Sequence, residues 1–181
     1  MNYFSIGAYA FREIRESDLP LLLEWRNSPR VHSKMLTDHK ITWEEHKNWF
    51  KRIQDEAREG YFIFTFNGEP VGYCCPGGTY LGAPDKCPRD AGVYLCFMAL
   101  DYGFSHFDIT ESEIVVFADN KKALGRNRFL GYEFDRSKDY CTIKDGQQKT
   151  VMRGSLTRER WIKRRAEVVE MLQLDTVETK S

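Results

Sequence analysis

Two apolar periods alternate along this chain. AYAFREI, from Ala8 to Ile14, marks a strand. After it, Leu21, Leu22 and Trp25 share one side of a helix that Ser17 or Asp18 caps and Pro20 opens in its first turn. Asn27-Ser28-Pro29 ends that helix, because the residue before a proline leaves the α region. TWEE is a capping box, with Thr42 at the cap and Glu45 three residues on. The helix it starts buries Trp49, Phe50 and Ile53 before Gly60 closes it.

Further along, YFIFTF, NGEP and VGYCC spell a β-hairpin turning at Asn67-Gly68. TYLGAPD is another strand and leads into a turn, from which an apolar helix runs from about Gly92 to Phe107. IVVFA is a short buried strand, and NKKALGRNRFLG a helix stopped at Gly131. A final hairpin folds back around Asp145-Gly146, and LTRERWIKRRAEVVEMLQL forms a C-terminal helix with a polar tail over 176–181. This order predicts an α+β or mixed α/β fold.

Charge and cysteines narrow the class. Lys+Arg and Asp+Glu each total 27, so no net field draws the chain to nucleic acid or an anionic membrane. The five cysteines, Cys74, Cys75, Cys87, Cys96 and Cys141, form no C-x-x-C pair and have no histidine at ligand spacing. Reduced thiols, no metal and a cytoplasmic location are expected. MNYFSIGAYAFREIR lacks the pattern of a signal peptide. The run AGVYLCFMAL stops at Asp101, well short of the ~20 residues that span a bilayer. A soluble protein with small-molecule partners follows, with neither nucleic acid nor membrane.

YLGAPDKCPRDAG before a long helix, and NKKALGRNRFLGY after the next strand, resemble the GNAT acyl-CoA N-acetyltransferases. Their phosphate turn runs Gln/Arg-x-x-Gly-x-Gly/Ala, onto which Cys87, Pro88, Arg89, Asp90, Ala91 and Gly92 fall in turn. Asn120, Ala123, Gly131 and Tyr132 match the pattern of the following helix. EWRNSPRV, TDHKITWEEH, ALDYGF and SLTRERW are similar to the amino-sugar N-acetyltransferases of pseudaminic-acid biosynthesis, from about Phe11 to Trp161. Those enzymes acetylate the 4-amino group of a UDP-linked dideoxy sugar. The resemblance implies one domain over 1–175, with a mixed central sheet of about seven strands flanked by helices. It also implies acetyl-CoA as acetyl donor, a nucleotide-linked amino sugar as acceptor, and leaves a homodimer open.

The same resemblance suggests site residues. Backbone N–H groups of Tyr80, Leu81 and Gly82 would hold the thioester carbonyl and the pantetheine arm. The turn of Cys87, Arg89, Asp90, Ala91, Gly92 and Val93 would take the pyrophosphate at a helix N-terminus. Asn120 and Asn127 would orient coenzyme A near its sulfur. Two positions depart from the family. Asp90 replaces a glycine, and its carboxylate either faces the pyrophosphate or turns away to cap the helix. Asn127 stands where a tyrosine often protonates the departing thiolate, leaving Tyr94 and Tyr132 as other donors. His39 and His46 are candidate general bases, since histidine titrates near ~6.5. Arg26 and Arg30, with Lys34, form a basic cluster suited to a diphosphate, and Thr37, His39 and Trp43 complete the acceptor side. His32 and His106 sit in no motif and are expected at the surface. Three readings stay open: an amino-sugar acetyltransferase, a GNAT-like binding protein without chemistry, and an acetyltransferase for a protein N-terminus or a small amine.

Overall fold

The computed structural model describes residues 2–56 and 58–174; the polar tail expected over 176–181 lies outside them. Among the described residues, nine strands and six α-helices follow one another in the order of an α+β protein. Strands β1 (Asn2–Ile6), β2 (Tyr9–Glu13), β3 (Phe62–Phe66), β4 (Glu69–Cys75) and β5 (Gly78–Leu81) form a five-stranded sheet in that order, every neighbour antiparallel. A second, four-stranded sheet holds β6 (Glu111–Phe117), β7 (Glu133–Phe134), β8 (Tyr140–Lys144) and β9 (Gln147–Thr157), with β9 pairing all three others. The strands beyond the expected seven include β1 and the two-residue β7.

Turn chemistry sets the hairpins. Asn67 and Gly68 both have positive φ, 50° and 82°, as do Asp145 and Gly146 at 51° and 72°. Two left-handed residues in succession match the twist of the flanking strands, which is why Asn-Gly and Asp-Gly occupy them.

Helices α1 (Leu19–Asn27) and α3 (Trp43–Asp55) cover one face of the first sheet, and the short α2 (Pro29–His32) follows α1 and packs on it. The Thr42–Glu45 capping box of α3 is present in full, but α3 ends at Asp55, before Gly60. Asp18 sits at the α1 N-cap without a capping bond; its carboxylate is taken by Arg12 and by the Arg15 N–H. Helix α4 (Ala91–His106) covers the other face, buried around most of its circumference. Period-two alternation places Phe62 and Phe64 in the core with α4, and Ile63 against Leu22 and Trp25 of α1. Helix α5 (Lys121–Phe129) follows β6, and α6 (Arg158–Met171) closes the core with Trp161, whose ring packs on Phe97 and Phe104 of α4. Phe97 has no exposed surface, so Phe97→Ala would cost about 3–5 kcal/mol.

The two sheets part between β5 and β6, whose edges pair with no strand of the opposite sheet among the described residues. That parting creates the site.

Candidate active site

Two cavities meet at the β4–β5 hairpin, where Cys75, Pro76, Gly77, Gly78 and Thr79 line both. One, of about 370 Å³, is the cleft between the sheets, running along α4 past Cys96 to Asn120, Arg126, Asn127 and Tyr132. The other, of about 730 Å³, lies under α1 and α3, walled by Arg26, His46, Trp49, Arg52, Tyr73 and Tyr80.

In the cleft, Asn120 caps α5 by accepting from the Ala123 N–H at 3.3 Å. Asn127 is buried about two turns of helix further on, and its backbone carbonyl accepts from the Tyr132 N–H. Tyr132 is the second candidate donor that the sequence offered, and it is in place. Its phenol lies 2.7 Å from Ser112 Oγ. Burial pushes that phenol up and the Ser112 hydroxyl pulls it back, for a net value of about 12. Tyr94 is elsewhere, stacked on Tyr9 at 4.5 Å.

The turn before α4 differs from expectation. Asp90 is exposed, makes no helix-capping bond and accepts a hydrogen bond from the Tyr9 phenol, whose proton burial and that carboxylate both hold in place. It stands at the N-cap position without a side-chain capping bond; its partner is a strand tyrosine, and it is absent from the cleft lining. Gly92 opens α4 beside Arg126, whose Nε is buried with no partner among the described residues. Arg126 is the residue that the sequence reading missed. Its spacing of six from Asn120 gives no signal; only the approach of α5 to α4 brings a guanidinium to the first turn.

The remaining cofactor-side candidates divide. Tyr80 faces the larger cavity, next to Arg26. Gly82 is a packing glycine, since a Cβ there would lie 1.9 Å from the Trp25 ring. Leu81, Ala91 and Val93 belong to the core cluster, Cys87 points its thiol at the Ala83 and Pro84 carbonyls, and Arg89 is exposed. Of these candidates only Tyr80 lines a cavity.

On the acceptor side, His46 is buried, stacked on Trp49 at 5.0 Å and 18°. One ring nitrogen bonds the Leu19 carbonyl, while Nε2 has no partner among the described residues. Burial pulls this histidine below its ordinary range despite that bond, so the ring is neutral with a free lone pair. His39 is not brought to the cavity; it is exposed and paired with Glu45 at 2.9 Å. Glu45 is the cavity's one carboxylate among its lining residues, and its oxygens are occupied by Thr42 and His39, which hold it near 2. Arg26 is desolvated between Tyr73 and Tyr80, with Nη1 buried and unpartnered. Arg30, Thr37 and Trp43 do not line the cavity; Trp49, for which burial in the helix core was the favoured expectation, does.

A split sheet, an apolar helix with a glycine in its first turn and a cleft between the sheet halves build the fold of the GNAT acetyltransferases. The acetyltransferase (GNAT) domain family matches residues 15–75. At distant identity the chain is similar to the acetyltransferase PseH of Campylobacter jejuni, 25% over 153 residues in strain 81-176, spanning 78% of this chain and 95% of that protein. A second C. jejuni strain gives 26% over the same length. Among solved structures, spermidine N-acetyltransferase from Vibrio cholerae in complex with CoA and spermine superposes with a TM-score of 0.76. It has 15% identity and covers 86% of this chain and 98% of its own. YncA from Salmonella typhimurium, with its cofactor acetyl-CoA, superposes at 0.67 with 15% identity over 83% and 94%. No helix among the described residues is long and apolar enough to cross a membrane.

Proposed function

We propose that this enzyme transfers an acetyl group from acetyl-CoA to the amine of a nucleotide-linked amino sugar of the 4-amino-4,6-dideoxy type. The observation that carries the reading is Arg26: a guanidinium nitrogen buried without a partner in the wall of the larger cavity, beside Tyr73 and Tyr80. A buried cation without a counter-ion is costly, and an anionic ligand relieves that cost. Arg52 adds a second cation to the same wall, and Trp49, Tyr73 and Tyr80 supply aromatic faces for a ring. A polyamine acceptor, as in the Vibrio neighbour, calls for free carboxylates, and Glu45 is already engaged. The similarity to PseH supports the same choice.

The cleft fits coenzyme A: the unpartnered Arg126 beside Gly92 gives a phosphate a cation at a helix N-terminus. Asn120 and Asn127 line the path from there toward the hairpin that both cavities share. When bound, acetyl-CoA supplies the activated thioester. His46 Nε2 accepts the amine's proton, directly or through one water, because its neutral ring carries the free lone pair. Trp49 and the Leu19 carbonyl fix that ring's orientation. The Tyr132 phenol donates a hydrogen bond at the sulfur end of the cleft, where Asn127 cannot give up a proton. Holding the two substrates on either side of one hairpin supplies much of the acceleration.

The test is acetyl transfer from acetyl-CoA to a UDP-linked 4-amino-4,6-dideoxy sugar, spermidine and an N-terminal peptide, followed by coenzyme A release. Turnover with the sugar alone is expected. Arg26→Ala should raise the sugar's KM about tenfold or more and leave that of acetyl-CoA unchanged, the signature of lost uniform binding. Turnover confined to spermidine or the peptide would replace the sugar with that acceptor.

A further inference from the structure

The wall of the acceptor cavity is held from the opposite sheet by one buried lysine. Lys144 ends β8, and its side chain has 0% exposure. Its ammonium donates to the Thr37 carbonyl at 2.7 Å and lies 3.6 Å from Asp38 Oδ1. Both ring nitrogens of His32 are 3.5 Å away. Beside it, the Asp145 N–H donates to Asp38 Oδ1 at 2.8 Å, and His32 Nε2 reaches the His39 carbonyl at 3.3 Å. His32, expected as a bare surface residue, is thus part of this cluster.

These partners all belong to α2 and the loop of residues 33–42 that follows it. Met35 and Ile41 of that loop line the acceptor cavity. Asn27 grips Ile41 by both its N–H and its carbonyl, each at 2.8 Å, which fixes the far end. Lys34 adds a looser tie to Asp119, at 3.7 Å, next to Lys149 of β9. An ammonium stripped of water needs several partners, and here the Thr37, Asp38 and His32 contacts are all lost if the loop and α2 move away. The lysine therefore favours one loop conformation.

We infer that Lys144 is a positioning residue, holding the 33–42 loop as the wall of the acceptor cavity and tying acceptor selection to the β8–β9 hairpin. The acceptor role of that cavity rests on the function proposed above; the latch itself does not. A structural lysine would act on fold stability alone, whereas a latch acts on acceptor binding. Replacing a buried charge by an apolar group of similar size is often neutral for stability, which makes Lys144→Met informative.

The experiment compares wild type, Lys144→Met and Asp38→Ala by steady-state kinetics and by hydrogen exchange of the amides at 37–41. The second variant changes a half-exposed side chain and so keeps the test open should Lys144→Met not fold. The expected result is an acceptor KM raised about tenfold in Lys144→Met, from loss of charge-assisted hydrogen bonds, and less in Asp38→Ala. The acetyl-CoA KM should stay unchanged, with faster exchange confined to the loop. Unchanged acceptor KM and unchanged loop exchange would overturn the latch, as would equal losses for both substrates. If wild type does not turn over the sugar, the function fails on its own, and loop exchange alone decides the latch.

Discussion

The guanidinium of Arg126 lies 2.8 Å from the point where a Cβ at Gly92 would stand. Gly92 thus admits an arginine from α5 to the first turn of α4, where backbone N–H groups already favour an anion. Two sources of positive potential converge on one spot. The turn has one glycine fewer than its family pattern, and this cation stands close to the one it keeps.

Arg126→Ala is expected to raise the KM for acetyl-CoA about tenfold or more and to leave the acceptor's nearly unchanged. Gly92→Ala should do less, because the atom that its Cβ meets is the far end of a flexible side chain. Calorimetric titration with coenzyme A at two ionic strengths checks both. The gap between wild type and Arg126→Ala should narrow at high salt, as screening weakens the charge that the variant lacks.

His46 carries the second prediction. His46→Gln should lower kcat about a hundredfold, within the usual range for losing a positioned base. Because burial holds His46 below its ordinary range, the wild-type rate should persist to a pH below ~6.5 before falling. Stability has the matching sign. As pH falls through about 6.5 the unfolded chain binds a proton that the folded ring refuses, so stability declines with acidification. His46→Gln should flatten that decline, measured by thermal unfolding between pH 5 and 8 in steps of about half a unit.

Much of the fold was legible because local signals agreed with tertiary need. Thr42 and Glu45 form their capping box, and both positive-φ turns fall on the Asn-Gly and Asp-Gly pairs. The site was only half legible. His46, Arg26, Asn120 and Asn127 line the cavities, since their helices are fixed by long-range apolar packing that the sequence pattern reports. Trp43 is exposed, and Trp49 borders the larger cavity. Helical spacing puts Trp49 near the buried face, but that face borders a cavity, and periodicity does not distinguish a neighbouring side chain from an empty volume. Arg126 and Lys144 were invisible for another reason. Each gains its meaning from an element remote in sequence, α4 for one and the α2–α3 loop for the other.

Asp18 tests the frame that carries α1. Burial pushes its carboxyl up, but two hydrogen bonds from Arg12 and one from the Arg15 N–H outweigh that and leave it below the usual range. A folded pKa below the unfolded one contributes stability that is complete above about 3.9 and is lost as pH falls through the folded value. Asp18→Asn should cost about 3 kcal/mol at neutral pH, since it strands a largely buried arginine. Urea unfolding from pH 7 downward checks it: the variant should lie well below wild type at pH 7, and the gap should close as pH falls below the usual carboxylate range.

Tyr132 offers the sharpest discrimination in the cleft. With its phenol held at about 12, it keeps its proton throughout the working pH range. A thiolate whose conjugate acid titrates near ~8.5 is a weaker base than that phenolate, so full transfer from Tyr132 runs uphill by more than three units. The phenol is therefore suited to donate a hydrogen bond to the departing sulfur, while water delivers the proton. Tyr132→Phe should then lower kcat only about tenfold, the value of one hydrogen bond to a charged atom, with the pH profile unchanged. Ser112→Ala removes the hydroxyl 2.7 Å from that phenol and should move kcat less. A loss of three orders of magnitude or more in Tyr132→Phe, together with the disappearance of a basic limb, would instead make Tyr132 the acid itself. That outcome would require the bound state to pull its pKa down by several units, toward that of the thiol.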